Sequence, residues 1–298
     1  MAKRIESKTI LNKSKKRDSW FLSDYTINPY SSCSFNCLYC YIRGSKYGEN
    51  LQSSLSIKTN AAYLLEIELT RRARKKEYGF IVLSSSTDPY LHFEEEEKIT
   101  RRLLKIILKH RFPVHIITKS PLVTRDLDIL KQISENAILP HDLIPYNLPG
   151  CLISFSFTSL STRVSKLFEL GAPSPSDRLD ALKFCLEKGF KAGVSLMPLL
   201  PYISDTSESL ENFYSSFKRA KVHYLMPAGI SLFGEGKSDS KTLVLRAVER
   251  NYPHLIGKYK KLFSSSNRLP SYYSRAFDQK MQEMSKDFEI PLRIIEMV

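Results

Sequence analysis

Six short apolar runs, each followed by a longer stretch with helical periodicity or a polar loop, constrain the fold of this 298-residue chain most tightly. YTINPY (25–30), the strand at 79–84 in GFIVLSSSTDPY, PVHIITKSP (113–121), CLISFSFTSL (151–160), KAGVSLMPLLP (191–201) and VHYLMPAGISLF (222–233) read as strands. They are continuous apolar runs rather than strict alternations, the pattern of strands covered on both faces. Helical periodicity occupies 58–77, 94–110, 124–134, 177–189 and 207–219. Strand, crossover helix and strand in repetition imply a parallel sheet with right-handed connections. The expected fold class is therefore α/β: a partial (β/α)6 TIM-type barrel with parallel strands, with a doubly wound sheet as the alternative. In both, chemistry belongs at the carboxyl ends of the strands.

The barrel is expected over residues 21–235, preceded by a basic, disordered arm (1–20) and followed by a helical C-terminal extension packed on the barrel (236–298). The net charge of +14 is spread out: residues 1–19 carry seven basic and two acidic side chains, and 234–298 carry twelve and eight. A diffuse positive field favours a polyanion such as DNA or RNA as partner. No apolar run reaches membrane-spanning length and the N-terminus lacks a signal-peptide core, so no membrane partner and a cytoplasmic location are expected.

Three of the five cysteines, Cys33, Cys37 and Cys40, fall within eight positions of the loop after the first strand, NPYSSCSFNCLYCY. Their C-x3-C-x2-C spacing supplies three thiolates and no nearby fourth. A structural zinc site wants four protein ligands, and a cubane iron–sulfur cluster held by three cysteines keeps one iron open. Three other readings stand beside this one: core cysteines on one helical face, a Cys37–Cys40 redox pair, or zinc completed by a remote histidine. Pro29 and the Ser/Asn-rich loop disfavour the helix. Cys151 and Cys185 lie in apolar segments and read as core. The four-glutamate run Glu94–Glu97 reads as a helix N-terminus matched to its dipole, with a solvated face.

The strand-end rule collects further polar groups: the cysteine loop, Ser84-Ser85-Ser86-Thr87-Asp88, Lys119-Ser120, Thr158-Ser159, Met197-Pro198 and the segment MPAGIS. Lys119 ends an apolar strand and so differs from an ordinary surface lysine.

These residues resemble the radical S-adenosylmethionine (SAM) superfamily, whose hallmark is a C-x3-C-x2-C loop after the first strand of a partial barrel. NPYSSCSFNCLYCY, SSSTDPY, ITKSPLVTRDLDIL, ELGAPSPSDRLDAL and GVSLMPLLPYISD are similar to the spore photoproduct lyase-like branch, also labelled DNA repair photolyase-like, over about residues 25–235. The resemblance implies a [4Fe–4S] cluster on Cys33, Cys37 and Cys40, with SAM at the fourth iron. Reductive cleavage of SAM would give a 5′-deoxyadenosyl radical that abstracts hydrogen, with a reducing electron donor as partner. Tyr39 matches the aromatic residue beside the adenine, and Ser84, Ser85 and Ser86 the segment at the SAM amino group. Lys119 matches the lysine pairing with the SAM carboxylate. Ser156 and Thr158 stand at the ribose, and Met197 with Pro198 flanks the adenine.

The chain departs from that branch in two places. Ser32 and Phe35 replace the glycine before the first cysteine and the histidine between the first two. Serines 84–86 stand where spore photoproduct lyase carries its hydrogen-donating cysteine, which leaves a tyrosine such as Tyr90 as a candidate relay. The alternative function is a non-catalytic nucleic-acid-binding protein with a structural metal site. The two part on whether Lys119 and Ser84–Ser86 converge on the cysteine loop.

Overall fold

The computed structural model describes residues 2–44, 55–83 and 86–295. Seven strands form the main sheet: β2 (Leu11–Lys13), β3 (Tyr25–Ile27), β6 (Ile81–Leu83), β7 (Val114–Thr118), β8 (Cys151–Ser156), β9 (Lys191–Leu199) and β10 (Leu225–Gly229). Their spatial order is β10-β9-β8-β7-β6-β3-β2. From β3 to β10 each strand is parallel to its neighbour, and β2 adds antiparallel to β3. Six parallel strands follow one another in chain order with no reversal. A doubly wound sheet reverses strand order at its switch point, so this is the partial barrel.

A three-stranded sheet joins β1 (Lys3–Ile5), β5 (Ser56–Lys58) and β4 (Tyr30–Ser31) beside the cysteine loop. Residues 3–5 and 11–13 are thus paired strands rather than disordered arm, and Ile10 and Leu11 are buried. Each of these strands is only three residues long, and the partner of β1 stands far along the chain, so local pattern could not show them.

The crossover helices are α1 (Ala61–Arg74), α2 (Glu94–Glu97), α3 (Ile99–Lys109), α4 (Leu127–Asn136), α5 (Thr162–Phe168), α6 (Pro175–Glu187) and α7 (Ser207–Ala220). The helix expected over 94–110 is two, because Lys98 adopts φ +49° between α2 and α3. Helix α6 starts on a capping box between Ser174 and Asp177, with Pro175 in its first turn. Beyond β10 lie α8 (Ser240–Asn251), α9 (Ile256–Leu262) and α10 (Ser271–Phe288). The last packs on α7, with the Tyr214 and Phe288 rings 5.5 Å apart. Among the described residues no helix is long and apolar enough to cross a membrane.

The strand N-terminal end of the barrel is filled. Leu22, Phe80, Leu152, Tyr224 and Met226 meet Ile294 and Ile295 there, with Trp20 and Phe21 packed against them. The other end stays open: the small residues Thr26, Ser156, Ser195, Ala228 and Gly229, beside Val82, Ile117 and Met197, line a cavity of about 500 Å³. Barrel interiors are ordinarily filled by bulky branched side chains, so the small ones leave space where strand ends deliver their loops.

Candidate active site

Cys33, Cys37 and Cys40 all line this cavity, together with Tyr39, Ser86, Lys119, Ser156, Met197 and Pro198. Both margins of the open barrel also reach it, Thr26 on β3 and Ala228 and Gly229 on β10. Ser84 and Ser85 lie outside the described residues. Thr158 is buried and donates to the Tyr39 hydroxyl at 2.8 Å, so it braces the aromatic ring. Tyr90 is fully buried and does not line the cavity. Tyr41, next to Cys40, is a tyrosine that does, and it is more than half exposed.

The cysteine loop is held by the segment after α5. The Leu38 amide donates to the Phe168 carbonyl at 2.8 Å and the Gly171 amide to the Phe35 carbonyl at 2.9 Å. Cys37 and Glu169 form an antiparallel bridge between them. Gly171 is required by close approach, since a Cβ there would lie 2.3 Å from the Ser34 carbonyl oxygen.

Glu169, the first residue of ELGAPSPSDRLDAL but given no role by the sequence pattern, is the hub beneath this loop. One carboxylate oxygen accepts from the Tyr39 hydroxyl and stands 4.0 Å from the Lys119 ammonium. The other accepts from Ser165 at 2.9 Å and from Arg178. Burial would raise this carboxyl, but Arg178, Lys119 and the hydrogen bonds outweigh it and hold it below its ordinary value. Arg178 is itself fully buried and also donates to the Ser156 carbonyl at 3.1 Å and the Pro173 carbonyl. The Lys119 ammonium stands 5.9 Å from the centre of the Tyr39 ring. A fixed cation and an aromatic face are thereby held side by side on the cavity wall.

Asp88 fixes the other end of Lys119. Its carboxylate accepts from the Lys119 amide at 2.7 Å, the Thr118 hydroxyl at 2.7 Å and the Tyr90 amide at 2.9 Å. This locks the β6 loop to the end of β7.

Arg43 is a second buried charged residue at this loop that the sequence pattern does not single out. It is buried and donates to the Cys37 carbonyl at 2.9 Å, the Ser238 carbonyl at 3.2 Å and Asn36 Oδ1. Its partners among the described residues are neutral oxygens. A buried cation is costly unless opposite charge stands near, and the three cysteines would supply it once metal displaces their protons.

Glu94 is no solvated end of an acidic run. It is fully buried, accepts from the Tyr30 hydroxyl and the Thr100 amide, and pairs with Arg125 at 2.8 Å. Only Glu95 and Glu96 of the four are openly exposed.

The donor set fits a polynuclear iron centre. Three soft thiols open on one cavity, and burial raises all three, Cys37 to about 12, so they become thiolates when metal displaces their protons. Among the described residues no three His, Cys, Asp or Glu side chains close around one ion as a mononuclear site would need.

Comparison with known proteins agrees with this geometry. The chain is 31% identical over 200 residues to an uncharacterized protein of Methanocaldococcus jannaschii, MJ0683, covering 64% of this chain and 68% of that protein. An uncharacterized protein of Mycobacterium tuberculosis, Rv2578c, is 23% identical over 273 residues, covering 89% and 75%. Spore photoproduct lyase in complex with dinucleoside spore photoproduct has a similar fold: TM-score 0.62 at 16% identity, over 96% of this chain and 78% of that one. A mutant of that lyase with bound SAM and the dinucleoside aligns at TM-score 0.58 and 15% identity, covering 92% and 76%. The Radical SAM superfamily profile matches residues 27–214, well over half of the chain. With that match on the cysteine loop and barrel, the chain belongs to the radical SAM superfamily, whose cofactors are a [4Fe–4S] cluster and SAM.

Proposed function

We propose that this protein is a radical SAM enzyme of the spore photoproduct lyase-like branch that abstracts hydrogen from a nucleic-acid substrate. One observation carries the reading: Lys119, Ser86 and Tyr39 open on the same cavity as the three cysteines. A structural metal staple would need no such neighbours.

When bound, the cluster and SAM would supply one-electron cleavage of a carbon–sulfur bond and, from it, hydrogen-abstracting chemistry. The chain's own residues bind and orient. Cys33, Cys37 and Cys40 would hold the cluster. Lys119 would take the SAM carboxylate through a charge-assisted bond. Tyr39, Met197 and Pro198 would bind the adenine, and Ser156 the ribose. The filled lower barrel keeps water from that side.

Anaerobically reconstituted protein is expected to show a thiolate-to-iron absorption band and to form 5′-deoxyadenosine after reduction. Cys37→Ala abolishes both. Stoichiometric zinc with no iron that can be reconstituted overturns the reading.

Gly171→Ala tests the support of the loop separately. Its new Cβ displaces the Ser34 carbonyl, so iron bound per chain after reconstitution should fall clearly below wild type. Unchanged iron content would mean that the loop does not depend on this close approach.

A further inference from the structure

Two dense basic regions differ in their place relative to the cavity. At the end of α1, on the strand N-terminal side, Arg71 and Arg72 pair with Glu68 and Glu77 at 2.8 and 2.6 Å. Lys109 and His110 at the end of α3 share Glu66. These four are neutralised locally, whereas Arg74, Lys75 and Lys76 beside them are exposed with no ion pair among the described residues, at the end of the barrel opposite the cavity.

Residues 250–277 are different. They hold six Lys and Arg and no Asp or Glu. Lys260 has an exposed partner, Glu249, at 3.9 Å. Among the described residues no carboxylate pairs with Lys258, Lys261, Arg268 or Arg275, which are all exposed.

This segment borders the cavity. Arg268 forms an antiparallel bridge with Ser231, a cavity-lining residue, and the Leu232 amide donates to the Asn267 carbonyl at 2.8 Å. Leu269 packs against Gly229 on the cavity margin. Three tyrosines stand on the same rim. Tyr202 follows β9 a few residues after Met197 and Pro198, and its ring centre is 5.7 Å from that of Tyr273. Tyr273 neighbours Tyr272, which is 57% exposed. Lys258 lies over the Tyr202 ring at 4.7 Å. Asp205, the nearby carboxylate, is taken up by the Tyr273 hydroxyl at 2.6 Å.

We infer that this rim, Tyr202, Tyr272 and Tyr273 with Lys258, Arg268 and Arg275, is a docking surface for single-stranded nucleic acid that leads the strand to the cavity. Unpaired cations neutralise phosphates. Exposed tyrosine faces stack unpaired bases, which a duplex keeps hidden. An acidic protein would use the cations but has no need of the aromatic faces. The delivery role rests on the cavity being the radical-generating site.

The test measures binding of a fluorescent 15-residue oligothymidine to the full, cluster-loaded chain, with a duplex of equal length and poly-glutamate as competitors. Tyr272→Ala should weaken binding by about 5- to 150-fold, the range given by roughly 1–3 kcal/mol per stacked base. Arg268→Ala with Arg275→Ala should lower the slope of log affinity against log salt by about 1.4, from roughly 0.7 per phosphate contact. Equal competition by the duplex with no effect of Tyr272→Ala overturns the proposal, as does stronger competition by poly-glutamate, which would mark an acidic protein as the partner. Reductant-driven 5′-deoxyadenosine formation is measured in the same preparation without oligonucleotide. Formation without oligonucleotide binding overturns the surface alone. Binding without formation overturns the reading of the cavity and the delivery to it.

Discussion

Replacing Glu169 with alanine is expected to destabilise the protein by about 3–5 kcal/mol, the usual result of leaving one partner of a buried ion pair alone. Arg178 has no exposed surface, and Glu169 is its carboxylate partner. The same change frees the Tyr39 hydroxyl and removes the carboxylate beside Lys119. SAM affinity of the cluster-loaded protein should therefore fall roughly tenfold, equal to about 1.4 kcal/mol. Glu169→Gln keeps the shape and an acceptor for Tyr39 but not the charge, and should fall between wild type and alanine. Removing both charges, Glu169→Gln with Arg178→Gln, should restore part of the stability but not the SAM affinity, because Lys119 still lacks its neighbour. Urea unfolding and calorimetric SAM titration separate the two effects. A loss below about 1 kcal/mol for Glu169→Ala would contradict the assignment of a buried, charge-coupled hub.

That hub shows where sequence reasoning runs out. The strands are legible because they are apolar on both faces, and β7 with every residue buried is the clearest case. The strand-end rule then places Lys119, Ser86 and Met197 on one rim with the cysteines, and all of them line the cavity; Thr158 and Ser159, which it also collects, do not, while Ser156, given by the family resemblance alone, does. Glu169 and Arg178 both lie within ELGAPSPSDRLDAL, but nothing local to that string assigns either a role. Each is an ordinary charged residue in a loop or at a helix start, and only the packing of α5 and α6 under the cysteine loop buries them. Arg43 is similar: three positions after Cys40, it is decided by contact with Ser238, 195 residues away. Glu94 misleads for the converse reason. A run of four glutamates looks solvated, and only Tyr30, Thr100 and Arg125 select the first of them for burial. Three-residue strands in the first twenty positions give too short a pattern for period two to register.

The protein is also expected to lose stability as pH falls from about 6.5 to 4, through His115. This imidazole is fully buried on β7, and burial drives it down to about 4, with the Phe21 carbonyl and Asp18 only partly opposing. A backbone carbonyl can only accept, so Nδ1 carries the proton toward Phe21 at 2.9 Å. Nε2 is then left to accept from the Ser154 hydroxyl at 2.7 Å, and Tyr224 continues the chain at 3.0 Å. Protonating Nε2 would place a charge in the barrel wall whose hydrogen-bond partners, the Phe21 carbonyl and the Ser154 hydroxyl, are both neutral. Above pH 6.5 both folded and unfolded chains keep this group neutral, and it adds no pH dependence. Between 6.5 and 4 the unfolded chain takes up a proton that the folded chain refuses, so stability declines with falling pH. Each pH unit separating the folded and unfolded values is worth about 1.36 kcal/mol, so the full loss is about 3 kcal/mol. His115→Leu should start lower at neutral pH, by about 1–3 kcal/mol for the unmet Phe21 carbonyl and Ser154 hydroxyl. Its decline across the same window should be shallower by one proton. Taking the difference between variant and wild type in urea midpoints at each pH cancels losses common to both, such as acid release of iron. Parallel curves would mean that His115 titrates normally and that the Phe21–His115–Ser154–Tyr224 chain does not hold the neutral tautomer.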